Sequence, residues 1–446
     1  MTHSPEIIRS PGGRTRRRRG RQSGIALIVA TVTIAVLGAV LGDFAFNARV
    51  DLEAAANARD QLRAEYLARS GIQLSRLLIK TQQAVIDPAR KYIGDMQITD
   101  FVPYIIPAFG GDADERAGLG AMLGVDTGAL KGLGVGKGAR FDVIMAHEDG
   151  KLNINCGGGL NDVPHQQMIY GVLQSLFWPP RYNRMFERPD VDGQINTRED
   201  VARAMVDWAD VDESRFEPPP ATSSSSPEDY RYDAGRDPYK AHNQFYDTLE
   251  ELNLVRGVGD DFWGSFGELF TVYGGCKVNL GAIKSENWPL MAGIIRATVK
   301  DDHKNDPVLL DDVLLAQAAQ AVLGLAQMSG GFTSTNQFVQ MINDPAKALQ
   351  NITSNQNSNS SASSASASQV SGSTPVPLDN AKLNNIATIG PRRIYRLDST
   401  GIIQRTREKK IQVHIRAIWD SQHFNQNTTS PDINDRMGTW VYWRED

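Results

Sequence analysis

An uncharged run, IALIVATVTIAVLGAVLG (25–42), follows almost directly on an arginine block, RRRRGRQSG (16–24). At about 1.5 Å per residue a helix of that length spans roughly 27 Å, close to the thickness of a bilayer core. Residues 1–24 hold seven Arg and one Glu, about +6, so the formal net charge of −5 hides a remainder at −11. An arginine block beside an apolar run is a topology signal: the basic end stays in the cytoplasm and the rest of the chain lies on the other side. An acidic body is a poor match for nucleic acid, whose affinity comes largely from Lys and Arg on phosphate.

Three readings of the first forty residues compete. A secretory signal peptide has a shorter apolar region and a small-residue cleavage site after it; here the run passes into Asp43, Phe44 and Phe46 with no loop-like break. A plain membrane anchor fits. So does a leader cut on the cytoplasmic face, before the apolar run, by a peptidase that requires Gly at the last leader position; Gly24 followed by Ile25 supplies it. No Pro interrupts residues 25–80, and Leu62, Tyr66, Leu67, Leu74 and Leu78 recur at helical spacing. The expectation is one long helix, its first half in lipid and its second half packed through that stripe.

Downstream, GLGVGKG (132–138) suggests a phosphate loop, but Lys131 stands where the first Gly belongs and Gly138 where the hydroxyl should be. The Gly-rich run 110–138 is read as a connection. RFDVIMAH (140–147) reads as a strand, Asp149-Gly150 as a turn, and the Lys-x-Asn of KLNIN (151–155) recurs in KVNL (277–280), so the two segments are candidate structural equivalents with Asn153 and Asn279 in turn or capping bonds. Residues 198–208 form an amphipathic helix with Thr197 and Glu199 near its start. It runs into Asp207, Asp210, Asp212 and Glu213, then a Ser/Pro insert, then Glu228 and Asp229. So many carboxylates repel one another unless solvated or gathered on a hard cation such as calcium. The EF-hand template fails, because counting from Asp210 puts Arg215 at the glycine position and Ala221 at the terminal glutamate.

Residues 248–262 read as a helix-hairpin-helix with Gly257 and Gly259 in the turn, and Asp260 and Asp261 there would repel phosphate. The Ser/Asn/Ala tract 352–376 lacks the large apolar groups a core needs. RIYRL (393–397) reads as a strand ended by a turn at DSTG (398–401). In 410–417 Ile411, Val413, Ile415 and Ala417 alternate with Gln412, His414 and Arg416, a half-buried antiparallel strand, and TWVYW (439–443) closes the sheet. GxSxG, SxxK and HExxH are all missing, and the seven histidines are scattered.

Gly24 with its leader, YLARSG (66–71), DWADVDE (207–213), LEELNLVRGV (249–258), KVNL (277–280) and YWRE (442–445) stand in the order in which the K-type minor pseudopilin of bacterial type II secretion carries such pieces, and together they resemble that family over most of the chain. The Gly-rich run, the Ser/Pro insert, the tract 352–376 and the two cysteines depart from it. The resemblance implies an α+β fold: a long N-terminal helix on an antiparallel pseudopilin sheet, with a large inserted helical domain of helix-hairpin-helix or SAM-like type. The implied partition is 1–24 leader, 25–85 transmembrane and amphipathic helix, 86–155 first part of the body, 156–345 helical insertion, 346–380 flexible loop and 381–446 closing strands.

It also implies a function without catalysis: capping the tip of a short periplasmic filament and starting its assembly, for export of folded proteins across the outer membrane. The partners would be minor pseudopilins of the I and J types, the prepilin peptidase and the inner-membrane assembly platform, with the chain crossing the inner membrane once, N-terminus cytoplasmic. Val29, fifth after the cleavage point, stands where shaft-forming relatives carry a glutamate. Asp207, Asp210, Asp212, Glu228 and Asp229 become candidate calcium ligands. In an oxidising compartment Cys156 and Cys276 are expected to pair, closing a loop of about 120 residues worth about 3–5 kcal/mol in the chain-entropy picture. The competing reading is a membrane-anchored periplasmic hydrolase.

Overall fold

The computed structural model describes residues 23–89, 96–110, 138–159, 162–190, 193–218, 226–233, 238–345, 347–348, 376–405, 409–422 and 438–446. The Gly-rich run, nearly all of the Ser/Asn tract, most of the Ser/Pro insert and the leader up to residue 22 lie outside them. The chain forms two units, 1–63 and 64–446.

Helix α1 runs Ser23–Thr81 and passes into a single π-helical turn, Gln82–Ile86. In the first unit its apolar side chains, Ile25 to Phe46, are exposed. The hydroxyls of Thr31 and Thr33 donate to the carbonyls of Leu27 and Val29, at 2.5 and 2.7 Å, so the polar atoms in the run are satisfied within the helix. Among the described residues this is the one helix long and apolar enough to cross a membrane.

The second unit contains a four-stranded antiparallel sheet in the order β1 (Ala139–His147), β6 (Ile394–Gln404), β7 (Lys410–Asp420), β8 (Thr439–Glu445). From Ala64 onward α1 lies on it, but not through the expected stripe. Leu62 and Tyr66 are exposed and Leu67, Leu74 and Leu78 only partly covered, whereas Ala64, Ala68, Ile72, Ser75 and Ile79 are fully buried. The cause is closeness of approach. A Cβ on Gly71 would stand 2.3 Å from the Ser399 hydroxyl, and the Ser399 hydroxyl donates to the Ala68 carbonyl at 2.8 Å. Leucines do not fit under a helix that near a strand. They sit to one side, against α2 (Ile98–Gly110), where Val102 and Ile106 meet Phe141 and Val143 of β1 (Ala139–His147).

β1 leads through the turn at Asp149-Gly150 to β2 (Leu152–Asn153) and then the helical region: α3 (Val163–Phe177), α4 (Arg198–Ala209), α5 (Asp260–Phe266), α6 (Trp288–Thr298), α7 (Asp312–Met328), α8 (Thr335–Asn343) and α9 (Asn380–Ile386). Its single large core is built around Phe177, Phe262, Phe266 and Phe270, and takes in Val376 to Ala387 as well. The expected helix-hairpin-helix is shorter than its motif suggests. Its first arm is a 3-10 helix, Leu249–Leu254, and Gly257 makes the turn at φ +86° with room for no Cβ between Val201 and Asn196.

The Lys-x-Asn segments are equivalent in the structure. β2 pairs in parallel with β3 (Phe270–Thr271) and β4 (Val278–Asn279) in parallel with β5 (Ala387–Thr388). In each, the asparagine amide donates at 2.9 Å to a glycine carbonyl just beyond the partner strand, Gly274 for Asn153 and Gly390 for Asn279, and its side-chain oxygen accepts the backbone N–H two residues on.

The chain then returns to the sheet. β6 (Ile394–Gln404) pairs with β1 from His147↔Tyr395 to Ala139↔Ile403, so everything between residues 147 and 394 is inserted between two neighbouring strands. The turn expected at 398–401 does not exist; β6 is continuous through it. DSTG serves the helix contact instead, since a Cβ on Gly401 would stand 1.8 Å from the Ala64 carbonyl oxygen. β7 (Lys410–Asp420) and the edge strand β8 (Thr439–Glu445) complete the sheet, with β7 alternating buried and exposed as its sequence requires. The result is α+β: a long helix, an antiparallel sheet and an interposed helical region.

Candidate functional site

Helix α4 is fixed at its start by a capping box, the Thr197 side chain accepting from the Asp200 N–H while the Asp200 carboxylate takes the Thr197 N–H. That rigid start delivers Asp207 and Asp210 at its far end. A return loop, held by a bridge between Ser214 and Pro227 and by Arg215 N–H donating to the Ser226 carbonyl at 3.2 Å, brings Glu228 back to them.

Carboxylate oxygens of Asp207, Asp210 and Glu228 lie within 4.8 Å of one another. The three residues are 5%, 2% and 6% exposed. The polar contacts are few for so much charge. Asp207 Oδ1 accepts the Phe216 N–H at 2.7 Å, and Asp210 Oδ2 accepts the Gln166 amide at 3.1 Å. Asp210 Oδ1 and both oxygens of Glu228 are buried with no N–H or hydroxyl donor on them among the described residues, and a hydrogen bond between the two carboxyls needs a proton on one of them. Burial raises all three carboxyls, helped by repulsion from Asp212 at Asp207 and from neighbouring carboxylates at Asp210 and Glu228: from 3.8 to about 7 for Asp207, from 3.8 to about 8 for Asp210 and from 4.5 to about 10 for Glu228. Near neutral pH such a group has two ways to be stable: it shares protons, or it holds a cation.

The other two candidate ligands are engaged elsewhere. Asp212 is exposed and its Oδ1 accepts the Ser214 N–H at 2.7 Å. Asp229 accepts the Ala241 N–H at 2.9 Å and faces Lys240 at 3.5 Å. Both are close enough to add repulsion at Glu228. Gln166, on α3, was not singled out by sequence reasoning: a lone amide forty-four residues away from its acceptor leaves no local pattern.

Cys156, buried, and Cys276, partly exposed, form a disulfide with Cα atoms 5.2 Å apart. Each follows or precedes one of the paired Lys-x-Asn segments. In the first unit, Gly24 has open space around it and Ile25 and Val29 are exposed in the first turns of α1, Val29 to 58%.

No family model matches the chain, and no curated protein does. Among solved structures the chain is similar to one in the crystal structure of the GspK-GspI-GspJ complex from the type 2 secretion system of enterotoxigenic Escherichia coli, with 12% identity over 69% of this chain and 80% of that one and a TM-score of 0.40. A likeness that distant does not bear on function.

Proposed function

We propose that the chain is a minor pseudopilin of K type, a structural subunit that caps the tip of a type II secretion pseudopilus and starts its assembly. One combination carries the reading: a single helix, uncharged from Ile25 to Gly42, whose later residues Ala64, Ala68 and Gly71 seat on an antiparallel sheet. The ordered sequence pieces supply the family. In this reading the peptidase cuts between Gly24 and Ile25, and the mature chain stays in the inner membrane with its body periplasmic, beside I- and J-type subunits on the assembly platform.

Val29 supports the tip position. In a shaft subunit, a glutamate there would pair inside the membrane with the free amino terminus of its neighbour, and burying either charge alone costs several kcal/mol. A chain with valine cannot satisfy another subunit's amine, and the first subunit has none to satisfy. The bulk inserted between β1 and β6 would likewise block a subunit stacking above.

Asp207, Asp210 and Glu228 fit a hard divalent cation such as calcium, their orphaned buried oxygens lacking the donors a structural acid cluster would have. Bound there, calcium would neutralise the cluster and tie α4 to the return loop; Asp212 and Asp229 stand as candidates for its outer surroundings. The hydrolase reading has no observation in its favour to set beside these.

The test is where the subunit sits. Gold-labelled chain is expected at one end of each pseudopilus, and Val29→Glu combined with deletion of the helical insertion is expected to move label onto the shaft. Uniform shaft labelling by the unaltered chain would overturn the tip reading.

A further inference from the structure

The disulfide has company. A ring nitrogen of His165, in the first turn of α3, lies with the two sulfurs of Cys156 and Cys276 inside a 4.8 Å group. The His165 Nδ1 is 2.7 and 2.9 Å from the two carboxylate oxygens of Asp162, so Nδ1 is placed to donate to that carboxylate and Nε2 is the ring nitrogen turned away from it. A carboxylate holding one imidazole nitrogen so that the other can bind a metal is the usual outer support of a zinc histidine. Both cysteines also sit in glycine loops, CGGG (156–159) and GGC (274–276), in which Gly157 at φ +98° and Gly274 at φ +95° take conformations other residues rarely adopt.

We infer that Cys156, Cys276 and His165 form a binding site for a thiophilic divalent cation of the zinc class, which exists when the disulfide is reduced and excludes the disulfide when filled. In a tetrahedral zinc site, with metal–sulfur bonds of about 2.3 Å and a metal–nitrogen bond of about 2.0 Å, neighbouring ligands stand roughly 3.5 Å apart. Once the disulfide is reduced the two sulfurs are free to part to such a spacing, and a ring nitrogen of His165 already lies within 4.8 Å of both. The redox step is a two-electron exchange with a dithiol. One thiolate of the reductant attacks Cys276, the less buried of the two residues; the Cys156–Cys276 bond breaks as the mixed disulfide forms, and Cys156 leaves as thiolate. The reductant's second thiolate then attacks its own sulfur in the mixed disulfide and releases Cys276. The reductant ends as a disulfide, the chain holds two thiols, and a divalent cation binding both displaces their two protons. Three protein ligands leave the fourth position open.

This site is chemically distinct from the carboxylate cluster, which offers hard oxygens alone, and that difference makes the test clean. Cobalt(II) is titrated into full-length chain in detergent, before and after reduction, with the far-ultraviolet circular dichroism followed throughout. The expected result is a thiolate-to-cobalt charge-transfer band saturating at one cobalt per chain in the reduced, still folded protein, displaced by zinc, and no such band in the oxidised protein. Cys276→Ser and His165→Ala should each abolish saturation at that stoichiometry. Asp162→Asn should weaken cobalt about 10-fold, and Asp207→Asn should leave the band unchanged. Absence of the band in the reduced folded chain would overturn the inference. So would a band that persists in urea or survives His165→Ala, since cysteines alone would then be responsible.

Discussion

The sheet and the helical region are held together by opposite means. On the sheet, α1 is seated by what is missing: Gly71, Gly401, Ala64 and Ala68 let a helix backbone approach β6 until serine bonds carbonyl across the gap. In the helical region bulk does the work, with Phe177, Phe262, Phe266 and Phe270 mutually in ring contact at 5.0 to 6.5 Å where they touch. Yet this aromatic core carries Asp207, Asp210 and Glu228, which oppose folding near neutral pH unless something compensates them. Helix α1 also carries a buried acid, Asp60, but with Arg59 beside it at 3.0 Å, whereas the three acids of the helical region have no ion-pair partner among the described residues. The difference says where to look for function, because a costly feature placed where the structure can bear it is a reason to suspect a ligand.

The largest effect should come from emptying the aromatic core. Phe266→Ala, at a fully buried position, is expected to cost about 3–5 kcal/mol in urea unfolding. Next, Gly401→Val should cost about 3 kcal/mol by forcing α1 off β6, while Gly390→Ala, with open space around it, should stay within about 0.5 kcal/mol. If Gly401→Val proved harmless, the closeness of helix and strand would not be what secures the sheet.

A third experiment addresses the acids. Their folded-state values are raised above the unfolded ones, so the folded chain binds more protons and stability falls as pH rises. With chelator present, thermal stability should decline between about pH 4 and pH 10, the window bounded by ordinary carboxyls near 4 and by Asp207, Asp210 and Glu228 at about 7, 8 and 10. Saturating calcium should raise stability near neutral pH and flatten that slope, by selective binding to the folded state. Glu228→Gln should flatten the slope without calcium and weaken the response to it. A melting temperature indifferent to calcium would leave shared protons as the cluster's means of stability.

The smallest expected effect concerns the paired asparagines. Asn153→Ala and Asn279→Ala should each cost about 1–2 kcal/mol, because each frees a glycine carbonyl and a backbone N–H together. Similar losses would support their equivalence; a large disparity would break it.

Much of this was legible in the sequence for physical reasons. Alternation in 410–417 exposes one sheet face and buries the other, and the unbroken run 25–80 has little alternative to a helix. The Lys-x-Asn repeat marked its two equivalent strands because both need the same amide geometry. What failed failed through tertiary contact. DSTG has turn composition, but Ser399 and Gly401 are small in order to meet α1, which no local pattern records. The leucine stripe was read as the buried face, while the alanines and glycine beside it were buried more deeply. Asp207, Asp210 and Glu228 were among five acids named, and only the return loop at Ser214 and Pro227 separates those three from Asp212 and Asp229.

The pseudopilin reading rests most directly on where the mature chain begins. Intact-mass analysis of the membrane-bound protein, expressed with a prepilin peptidase, measures it. The expected result is a chain starting at Ile25, with the mass of an N-methyl group at its amino terminus and none of the seven leader arginines. A chain that retains the arginine block, or one cut after Gly42, would contradict the account.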